Sequence, residues 1–265
     1  MIIRYIDTHC HLQFDQYSKD RDEIIARMLD EGVAGVVVGT DYESSQQAVA
    51  LAEKHEHLYA AVGLHPNHAG QEFFSIEKYQ ELVKHSKVVA IGECGLDYFH
   101  SKIGKDVQKD IFRKHTELSV IGDKPIIIHA RSNGTDNAYQ DLIAILKETK
   151  TNHPNLRGVI HFFAGTLEEA EEFIELDFII SFTAVITFAR DYDEIIKTVP
   201  LKNILSETDS PYVAPVNRRG ERNDPLAVID VVKWIAKIRG EDLETVRKVL
   251  IANAQQLFNL PGFGL

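Results

Sequence analysis

The stretch PIIIH at Pro125–His129 decides the fold class, because it is apolar along almost its whole length and ends in a histidine. A strand that is apolar at successive positions, and not only at every second one, is typical of a parallel sheet with both faces buried. The stretch GVVVG at Gly35–Gly39 has the same character. Each is followed by a longer segment whose apolar residues recur at helical spacing, which indicates that strands and helices alternate.

The same alternation extends along the chain in both directions from this strand. We predict strands at Arg4–Thr8, Ala34–Gly39, Tyr59–Leu64, Val88–Gly92, Pro125–His129, Gly158–His161, Phe178–Ser181 and Asn203–Ser206. We predict helices at Asp22–Glu31, Ser44–His55, Ile76–His85, Val107–Ile121, Asn137–Thr149, Leu167–Leu176, Asp191–Val199 and Pro225–Ile238, with an additional C-terminal helix at Leu243–Phe258. This alternation predicts an α/β fold, the TIM (β/α)8 barrel, on which the additional helix should pack.

The size and composition of the chain fit one such barrel. The chain has 265 residues, 44% of them hydrophobic, and a TIM barrel needs about 250 residues. We therefore predict a single domain over residues 1–265. The two cysteines, Cys10 and Cys94, are too few for a disulfide framework and suit a reducing compartment. We expect both to be small buried residues, since strand alternation points them away from their metal-binding neighbours.

The ends of the chain and its charge bear on location and partners. Residues Met1–Asp7 lack the regions of a signal peptide, and the longest apolar runs are far too short to cross a membrane. We therefore predict a cytoplasmic protein with no membrane contact and no obligate protein partner. The net charge of −11 disfavours a polyanionic partner at long range, unless bound cations neutralise several carboxylates.

Residues that can bind metals stand where the predicted strands end. They are Asp7, His9 and His11 at strand one, His65 at strand three, Glu93 at strand four, His129 at strand five, His161 at strand six, and Glu207 and Asp209 at strand eight. The carboxyl ends of barrel strands converge on one face, where active sites are built. Because side chains alternate along a strand, we expect these residues to continue interior-facing rows such as Val89, Ile91 and Glu93.

Imidazole nitrogens and carboxylate oxygens are the ligands that zinc and similar divalent ions take from proteins. His9 and His11 lie two residues apart on an extended segment, so both can face one ion. Glu93 has two oxygens and can bridge two ions. His129 and His161, from neighbouring strands, and Asp209, from strand eight, would supply the remaining ligands. We therefore predict two divalent ions, Mg2+, Mn2+ or Zn2+, held by His9, His11, Glu93, His129, His161 and Asp209.

Each candidate ligand alone also has an ordinary interpretation. A single histidine at a strand end is more often a hydrogen-bonded core residue than a ligand, and Glu93 alone can be a paired buried carboxylate. Ionisable groups are costly to bury unless paired or metal-bound, so their crowding at one rim favours the metal site. We expect the remaining histidines at the surface or in loops: His55, His57, His68, His85, His100, His115 and His153. Asp97 either orients a metal ligand or belongs to the loop before a helix.

Arginines follow the predicted strands five and eight. Arg131 lies two residues after His129, and Arg218, Arg219 and Arg222 lie in an aperiodic stretch that also contains prolines. Guanidinium groups bind phosphate oxygens in a bidentate manner, so arginines beside a metal site predict contacts with the phosphate groups of a substrate. The alternative is a solvated loop whose arginines pair with nearby carboxylates.

Six motifs resemble those of the TatD-related deoxyribonucleases, in order along the chain. They are DTHCHL at Asp7–Leu12, GLHP at Gly63–Pro66, GECGLD at Gly92–Asp97, HAR at His129–Arg131, HFFAG at His161–Gly165 and ETDSPY at Glu207–Tyr212. The segments Arg218–Pro225 and Asn253–Phe258 are also similar to the family, so the resemblance covers nearly the whole chain. The chain departs from the family at Phe162, where a cysteine is common, and this departure bears on substrate preference.

The resemblance implies a TIM barrel with two divalent ions that hydrolyses the phosphodiester bonds of DNA, as an exonuclease acting from the 3′ end. By position, it implies that one ion is held by His9, His11, Glu93 and Asp209, and the other by Glu93, His129 and His161. It also implies that His65 lies near the scissile phosphate.

We expect three of these residues to act in catalysis. Asp209 would accept a proton from the attacking water or orient it, because it comes from strand eight, opposite the histidine-rich strands. Glu93 would bridge the ions, and His65 would donate a hydrogen bond to a phosphate oxygen or to the leaving group. Together with the four arginines, His65 completes the expected set of substrate-binding residues.

Two other classes of function remain open at this point. A barrel amidohydrolase or lactonase would use the same ions against the carbonyl of a small amide, lactone or ester, and an apolar pocket would favour it. A non-catalytic metal-binding protein would hold its ions in a closed site.

Overall fold

Eight parallel strands pair in chain order in the computed structural model, which describes residues 2–262. The strands are β1 (Tyr5–Cys10), β2 (Val33–Val38), β3 (Leu58–Val62), β4 (Val88–Asp97), β5 (Ile126–Arg131), β6 (Gly158–Ile160), β7 (Phe178–Phe182) and β8 (Ile204–Ser206). An isolated parallel bridge between Cys10 and Ser210 brings the segment after β8 against β1, so the barrel is nearly closed. The predicted TIM barrel is therefore confirmed. The single domain over residues 1–265 stays a prediction, since Met1 and residues 263–265 lie outside the described residues.

Helices follow the strands at the predicted places, with bounds that differ by a few residues. They are α1 (Arg21–Asp30), α2 (Tyr42–Lys54), α3 (Ile76–Val83), α4 (Lys105–Gly122), α5 (Ala138–Asn152), α6 (Leu167–Glu175), α7 (Asp193–Thr198), α8 (Val228–Arg239) and α9 (Leu243–Phe258). The predicted helix from Pro225 begins as a 3-10 turn at Pro225–Ala227 before α8. The additional helix α9 has the predicted bounds. None of the helices in residues 2–262 is long and apolar enough to cross a membrane.

Two helices on the active face begin with reciprocal caps that fix the preceding loops. At α2, Ser44 N donates to Asp41 Oδ1 (2.7 Å) and Asp41 N donates to Ser44 Oγ (3.0 Å). At α6, Glu169 N donates to Thr166 Oγ1 (3.3 Å) and Thr166 N donates to the Glu169 carboxylate (2.9 Å). Such caps satisfy N–H groups that the first helical turn leaves unpaired. The loops between strand and helix are thereby held at the carboxyl ends of β2 and β6.

The barrel interior is filled largely by one apolar cluster. Its members from the strands include Ile6, Ala34, Val36, Val38, Ala61, Val89, Ile127, Val159 and Leu205, and α9 adds Ile251, Ala254, Leu257 and Phe258. Helix α9 therefore packs against the barrel, as its spacing predicted, and shares this interior core with the strands. The candidate ligands Glu93, His129, His161 and Asp209 follow at the carboxyl ends of the strands, beyond this core.

Strand β4 differs from the prediction in its end point and in the residues that face the barrel interior. It does not end at Gly92 but continues to Asp97, pairing with β5 up to Arg131, with a register shift between Ile91 and Cys94. The expected row of Val89, Ile91 and Glu93 is also wrong, because Ile91 packs outside the barrel in the cluster that contains residues of α3 and α4. This register shift breaks the alternation of side chains along β4, so Glu93 faces the barrel interior although Ile91, two residues earlier, does not.

Glycines permit this irregular pairing. Gly92 and Gly95 have φ angles of 148° and 141°, in a region that side chains disfavour. A Cβ atom at Gly95 would lie 2.0 Å from the carbonyl oxygen of His129. The run Gly92–Gly95 is therefore part of a strand that approaches β5 closely, and not a turn that ends the strand.

Candidate metal centre

The Glu93 carboxylate lies at the centre of the predicted ligands. Its Oε1 atom is 3.1 Å from His129 Nδ1, 3.4 Å from His65 Nε2 and 3.8 Å from His161 Nε2. Its Oε2 atom is 3.4 Å from His9 Nε2 and 3.8 Å from His11 Nε2. The two oxygens of one side chain therefore face two different sets of histidines.

Asp209 reaches the same cluster from the segment after β8. Its Oδ1 atom is 3.4 Å from His11 Nε2, 3.7 Å from His161 Nε2 and 3.8 Å from His9 Nε2. A hydrogen bond from Asp209 N to His9 O (2.9 Å) fixes its backbone against β1, at a φ angle of 54°. The structure thus brings together all six residues that the sequence proposed as ligands.

These distances fit a bound cation better than they fit hydrogen bonds. Most of the contacts are 3.4–3.8 Å long, whereas N–H···O hydrogen bonds are usually about 2.7–3.2 Å. Two ligands that are each about 2.1 Å from a tetrahedral ion lie about 3.4 Å apart. His9 Nε2 and His11 Nε2 also face each other at 3.2 Å, which a shared cation would stabilise.

The ligand atoms form three overlapping groups, each with its atoms within 4.8 Å of one another. The first contains His9, His11 and Asp209, and the second contains His9, Glu93 and His161. The third contains Glu93, His129 and His65. Glu93 and His9 each belong to two groups, and of these two Glu93 has a pair of oxygens with which to bridge. His65, expected beside a phosphate, also lies close enough to Glu93 and His129 to belong to a ligand group.

The charges of the cluster shift the pKa values of its members. Burial raises the pKa of Glu93, but the charges of His65 and His9 and hydrogen bonds from His129 and His65 outweigh it and hold this pKa well below its usual range. Burial lowers the pKa of His161, but Glu207, Asp209 and Glu93 outweigh it and raise this pKa to about 10. The Glu93 carboxylate therefore stays ionised and attracts cations, whether protons or metal ions.

Comparisons with known proteins are consistent with this geometry. The family model described as TatD-related DNase matches residues 6–259. The chain belongs to this family. YabD of Bacillus subtilis, named an uncharacterized metal-dependent hydrolase, is 38% identical over 258 residues, which are 96% of this chain and 98% of that protein. The crystal structure of YjjV, a TatD homologue from Escherichia coli, has a TM-score of 0.90 at 32% identity and covers 98% of this chain and 100% of that chain.

More distant barrels are similar in fold alone. A dihydroorotase from Campylobacter jejuni has a TM-score of 0.65 at 13% identity, covering 98% of this chain and 85% of that chain. The fold of the TatD family is therefore shared with enzymes of other chemistry, and the site must decide the reaction.

In this TatD-family chain, buried carboxylates contact two of the candidate ligands on the side away from Glu93. Glu207 Oε1 lies 2.9 Å from His161 Nδ1, and Asp97 Oδ2 lies 3.1 Å from His129 Nε2. Asp97 Oδ1 also accepts hydrogen bonds from Phe99 N (2.9 Å) and His100 N (2.7 Å). Both interpretations of Asp97 are thus correct, since it contacts a candidate ligand and organises the loop before α4.

One histidine contradicts the expectation that it lies at the surface or in a loop. His115 is buried within α4, whereas His57, also buried, lies in the turn before β3. His115, on α4, accepts a hydrogen bond from Leu64 N at Nε2 (3.0 Å) and donates from Nδ1 to Ile111 O (2.8 Å). A neutral imidazole can be buried at little cost when backbone groups satisfy both nitrogens. His115 thereby fixes the backbone directly before His65, which the sequence did not reveal.

A cavity of about 910 Å3 adjoins the metal centre. Its walls include five of the six candidate ligands, all but His9, and the aromatic rings of Phe14, Phe162 and Tyr212. Phe14 stacks on the His11 ring, with 4.6 Å between ring centroids. Cys10 and Cys94 are absent from the walls, and both are fully buried free thiols, as expected.

Of the four predicted arginines, one lines the cavity and the other three lie outside it. Arg131 lines the cavity, and its guanidinium lies 5.5 Å from the centroid of the Phe99 ring. The other three make local contacts: Arg218 with Asp224 (2.9 Å), Arg219 with the Phe188 ring (4.0 Å) and Arg222 with Asp20 (2.9 Å). Their contact with a substrate stays a prediction, and it requires a substrate that extends out of the cavity.

Proposed function

We propose that this chain is a divalent-metal-dependent hydrolase that cleaves the phosphodiester bonds of DNA. The observation that supports the proposal most strongly is the position of Glu93, whose two oxygens face different sets of histidines. Such a carboxylate suits two ions held side by side, an arrangement typical of enzymes that displace groups at phosphorus. The ions, Mg2+, Mn2+ or Zn2+, would be held by His9, His11, Glu93, His129, His161 and Asp209.

Side chains of the protein would transfer the proton and contact the substrate. Divalent ions bound here would supply Lewis acidity and lower the pKa of a water molecule to about 7. Asp209 accepts a proton from the attacking water or orients it, since its carboxylate lies at the edge of the cavity. His65 also lines the cavity, and its Nε2 atom can donate to a phosphate oxygen or to the leaving group.

The walls of the cavity favour a nucleotide strand over a small apolar substrate. Phe14, Phe162 and Tyr212 offer rings on which bases can stack, and such stacking is worth about 1–3 kcal/mol per base. Arg131 supplies a cation for a neighbouring phosphate. The family resemblance supports action from the 3′ end, and the same resemblance favours DNA as the strand.

Activity on a panel of substrates tests the proposal. Metal-loaded protein is incubated with single-stranded DNA, double-stranded DNA, RNA, bis(p-nitrophenyl) phosphate and a set of carboxyl esters and lactones in one buffer. Cleavage of DNA and the simple phosphodiester is expected. If esters or lactones are cleaved and DNA and the phosphodiester stay intact, the nuclease proposal fails and a barrel amidohydrolase or lactonase replaces it.

Two variants connect any activity to this site. Asp209→Asn should abolish turnover, because the amide cannot accept a proton, and it should leave at least one metal ion bound. Asp230→Asn removes a carboxylate that pairs with Lys233 on α8, outside the cavity, and should retain full activity. Wild-type activity in Asp209→Asn would remove Asp209 from the mechanism.

A further inference from the structure

Glu207 is a buried carboxylate that the proposed mechanism does not use. It is 1% exposed and follows β8, where Glu207 N donates to Phe182 O (3.1 Å). Its Oε1 atom lies 2.9 Å from His161 Nδ1 and accepts a hydrogen bond from Phe162 N (2.7 Å). Glu207 is absent from every group of candidate ligand atoms in residues 2–262. Its position therefore suits a residue that acts on a ligand and is not itself one.

His161 can bind a metal ion through one of its ring nitrogens only. Nε2 faces Glu93 and Asp209, at 3.8 Å and 3.7 Å, whereas Nδ1 faces Glu207. The ring is also stacked on that of His9, with centroids 3.6 Å apart and planes inclined by 20°. A neutral imidazole carries its proton on one nitrogen and a lone pair on the other. Metal binding here thus requires the proton on Nδ1.

We propose that Glu207 is a positioning residue that selects the metal-binding form of His161. The negative charge of its carboxylate, 2.9 Å from Nδ1, favours the proton on that atom and leaves the lone pair of Nε2 directed at the metal centre. This inference rests on the metal binding in the proposed function, and it assigns to Glu207 a role separate from that of the ligands.

Glu207 Oε1 also accepts a hydrogen bond from the backbone of Phe162, a residue that lines the cavity. Phe162 has a φ angle of 46°, in the left-handed region that a side chain disfavours. The hydrogen bond from Phe162 N to Glu207 stabilises this conformation and directs the backbone of a residue that lines the cavity. Glu207 therefore couples the orientation of a ligand to the shape of the substrate cavity.

Two variants of Glu207 separate positioning from structural support. Glu207→Met keeps a similar volume and removes the acceptor, so either ring nitrogen of His161 can then carry the proton. Glu207→Gln keeps an oxygen acceptor without the charge. We expect the affinity for Mn2+, measured by titration calorimetry on the full chain, to fall by about 10–100-fold in Glu207→Met and by a smaller factor in Glu207→Gln.

Glu169→Met is the matched control. Glu169 is also a buried carboxylate on this face, but it accepts from Thr166 N and from Asn137 Nδ2 (2.6 Å) and touches no candidate ligand. We expect this variant to lose thermal stability and to keep the wild-type affinity for Mn2+. An equal loss of affinity in Glu169→Met would show that general destabilisation explains the effect, and it would overturn the proposal.

The remaining outcomes are also decisive. In zinc-loaded protein, the Nδ1 proton of His161 should give a downfield NMR resonance that moves upfield in Glu207→Gln. If Glu207→Met does not fold, wild-type affinity in Glu207→Gln together with an unmoved resonance overturns the positioning role. If the wild-type chain itself binds no divalent ion, the proposed function fails, which is a different result from equal binding by all variants.

Discussion

The carboxylate of Asp7 joins β1 to the segment after β8 through two hydrogen bonds from Thr208. Asp7 Oδ1 accepts from Thr208 N (2.9 Å) and Oδ2 accepts from Thr208 Oγ1 (2.6 Å). Oδ1 also accepts from His9 N (3.2 Å). Asp7 is fully buried, so these bonds form away from water. They connect the two edges of the sheet directly beside His9 and Asp209.

Asp7→Ala should therefore destabilise the fold. The variant leaves the N–H groups of Thr208 and His9 buried without an acceptor, and each such group costs about 1–3 kcal/mol. We expect the free energy of unfolding to fall by about 2–4 kcal/mol, measured by urea denaturation of metal-free protein. Thr208→Val removes the hydroxyl, which donates to Asp7 and accepts from Ser210 N (3.1 Å), and should cost about 2 kcal/mol. Equal stability of Asp7→Ala and wild type would show that these bonds do not hold the barrel closed.

Metal stoichiometry should distinguish the central ligand from a peripheral one. Glu93 belongs to two of the ligand groups, whereas His129 belongs to one. Glu93→Ala should thus lower the occupancy of both ion positions, and His129→Ala should mainly empty one. Elemental analysis of the dialysed proteins gives the ratio of metal to protein. Full occupancy in Glu93→Ala would contradict the bridging role.

His115 should make the stability of the chain sensitive to acid. Its burial lowers its pKa to about 3, whereas an unfolded histidine has a pKa of about 6.5. The unfolded chain then takes up a proton first, so this contribution to stability is present above about pH 6.5 and is lost progressively towards pH 3. Between pH 7 and pH 5 the loss amounts to about 2 kcal/mol.

His115→Gln tests this contribution, because its amide oxygen can still accept from Leu64 N but does not titrate. Urea denaturation of both proteins at pH 7 and pH 5 gives the comparison. The variant should lose about 2 kcal/mol less than wild type over this range. Identical losses would mean that other groups control the acid sensitivity.

The arginines should differ in their effect on DNA binding. Arg131 lines the cavity, so Arg131→Gln should weaken the binding of short oligonucleotides and lower the slope of log Kd against log salt by about 1. Arg222 pairs with Asp20 outside the cavity, so Arg222→Gln should affect only longer strands. Binding to catalytically inactive Asp209→Asn protein, measured by fluorescence anisotropy, provides the test. The reverse order of effects would place the strand across the arginine-rich loop and not in the cavity.

Local sequence was sufficient for the elements and for the identity of the ligand candidates. Helix α9 begins and ends at the predicted residues because Asp242 accepts from Thr245 N at its start and Asn259 adopts a left-handed conformation at its end. The strand-end positions of His9, His129, His161 and Asp209 follow from apolar runs that stop at a polar residue. Both inferences depend on periodicity and on chemistry that neighbouring residues determine.

The interior of β4 could not be predicted in this way. Its register shift depends on how closely Gly92 and Gly95 approach the backbone of β5, which is distant in sequence. Period-two alternation fails at such a bulge, so the sequence placed Ile91 on the wrong face. The burial of His115 likewise depends on Leu64 N, a backbone donor on another element.

The sequence by itself determined the alternation of strands and helices, the residues able to bind metal, and the end of the barrel at which they gather. The tertiary structure alone decided which ligands share a group, that Glu93 faces histidines with both oxygens, and that Glu207 and Asp97 contact the ligands from behind. The physical reason is the distance along the chain over which each effect acts. Periodicity and residue chemistry act over a few positions, whereas ligand spacing is set by strand register and by contacts between residues far apart in the chain.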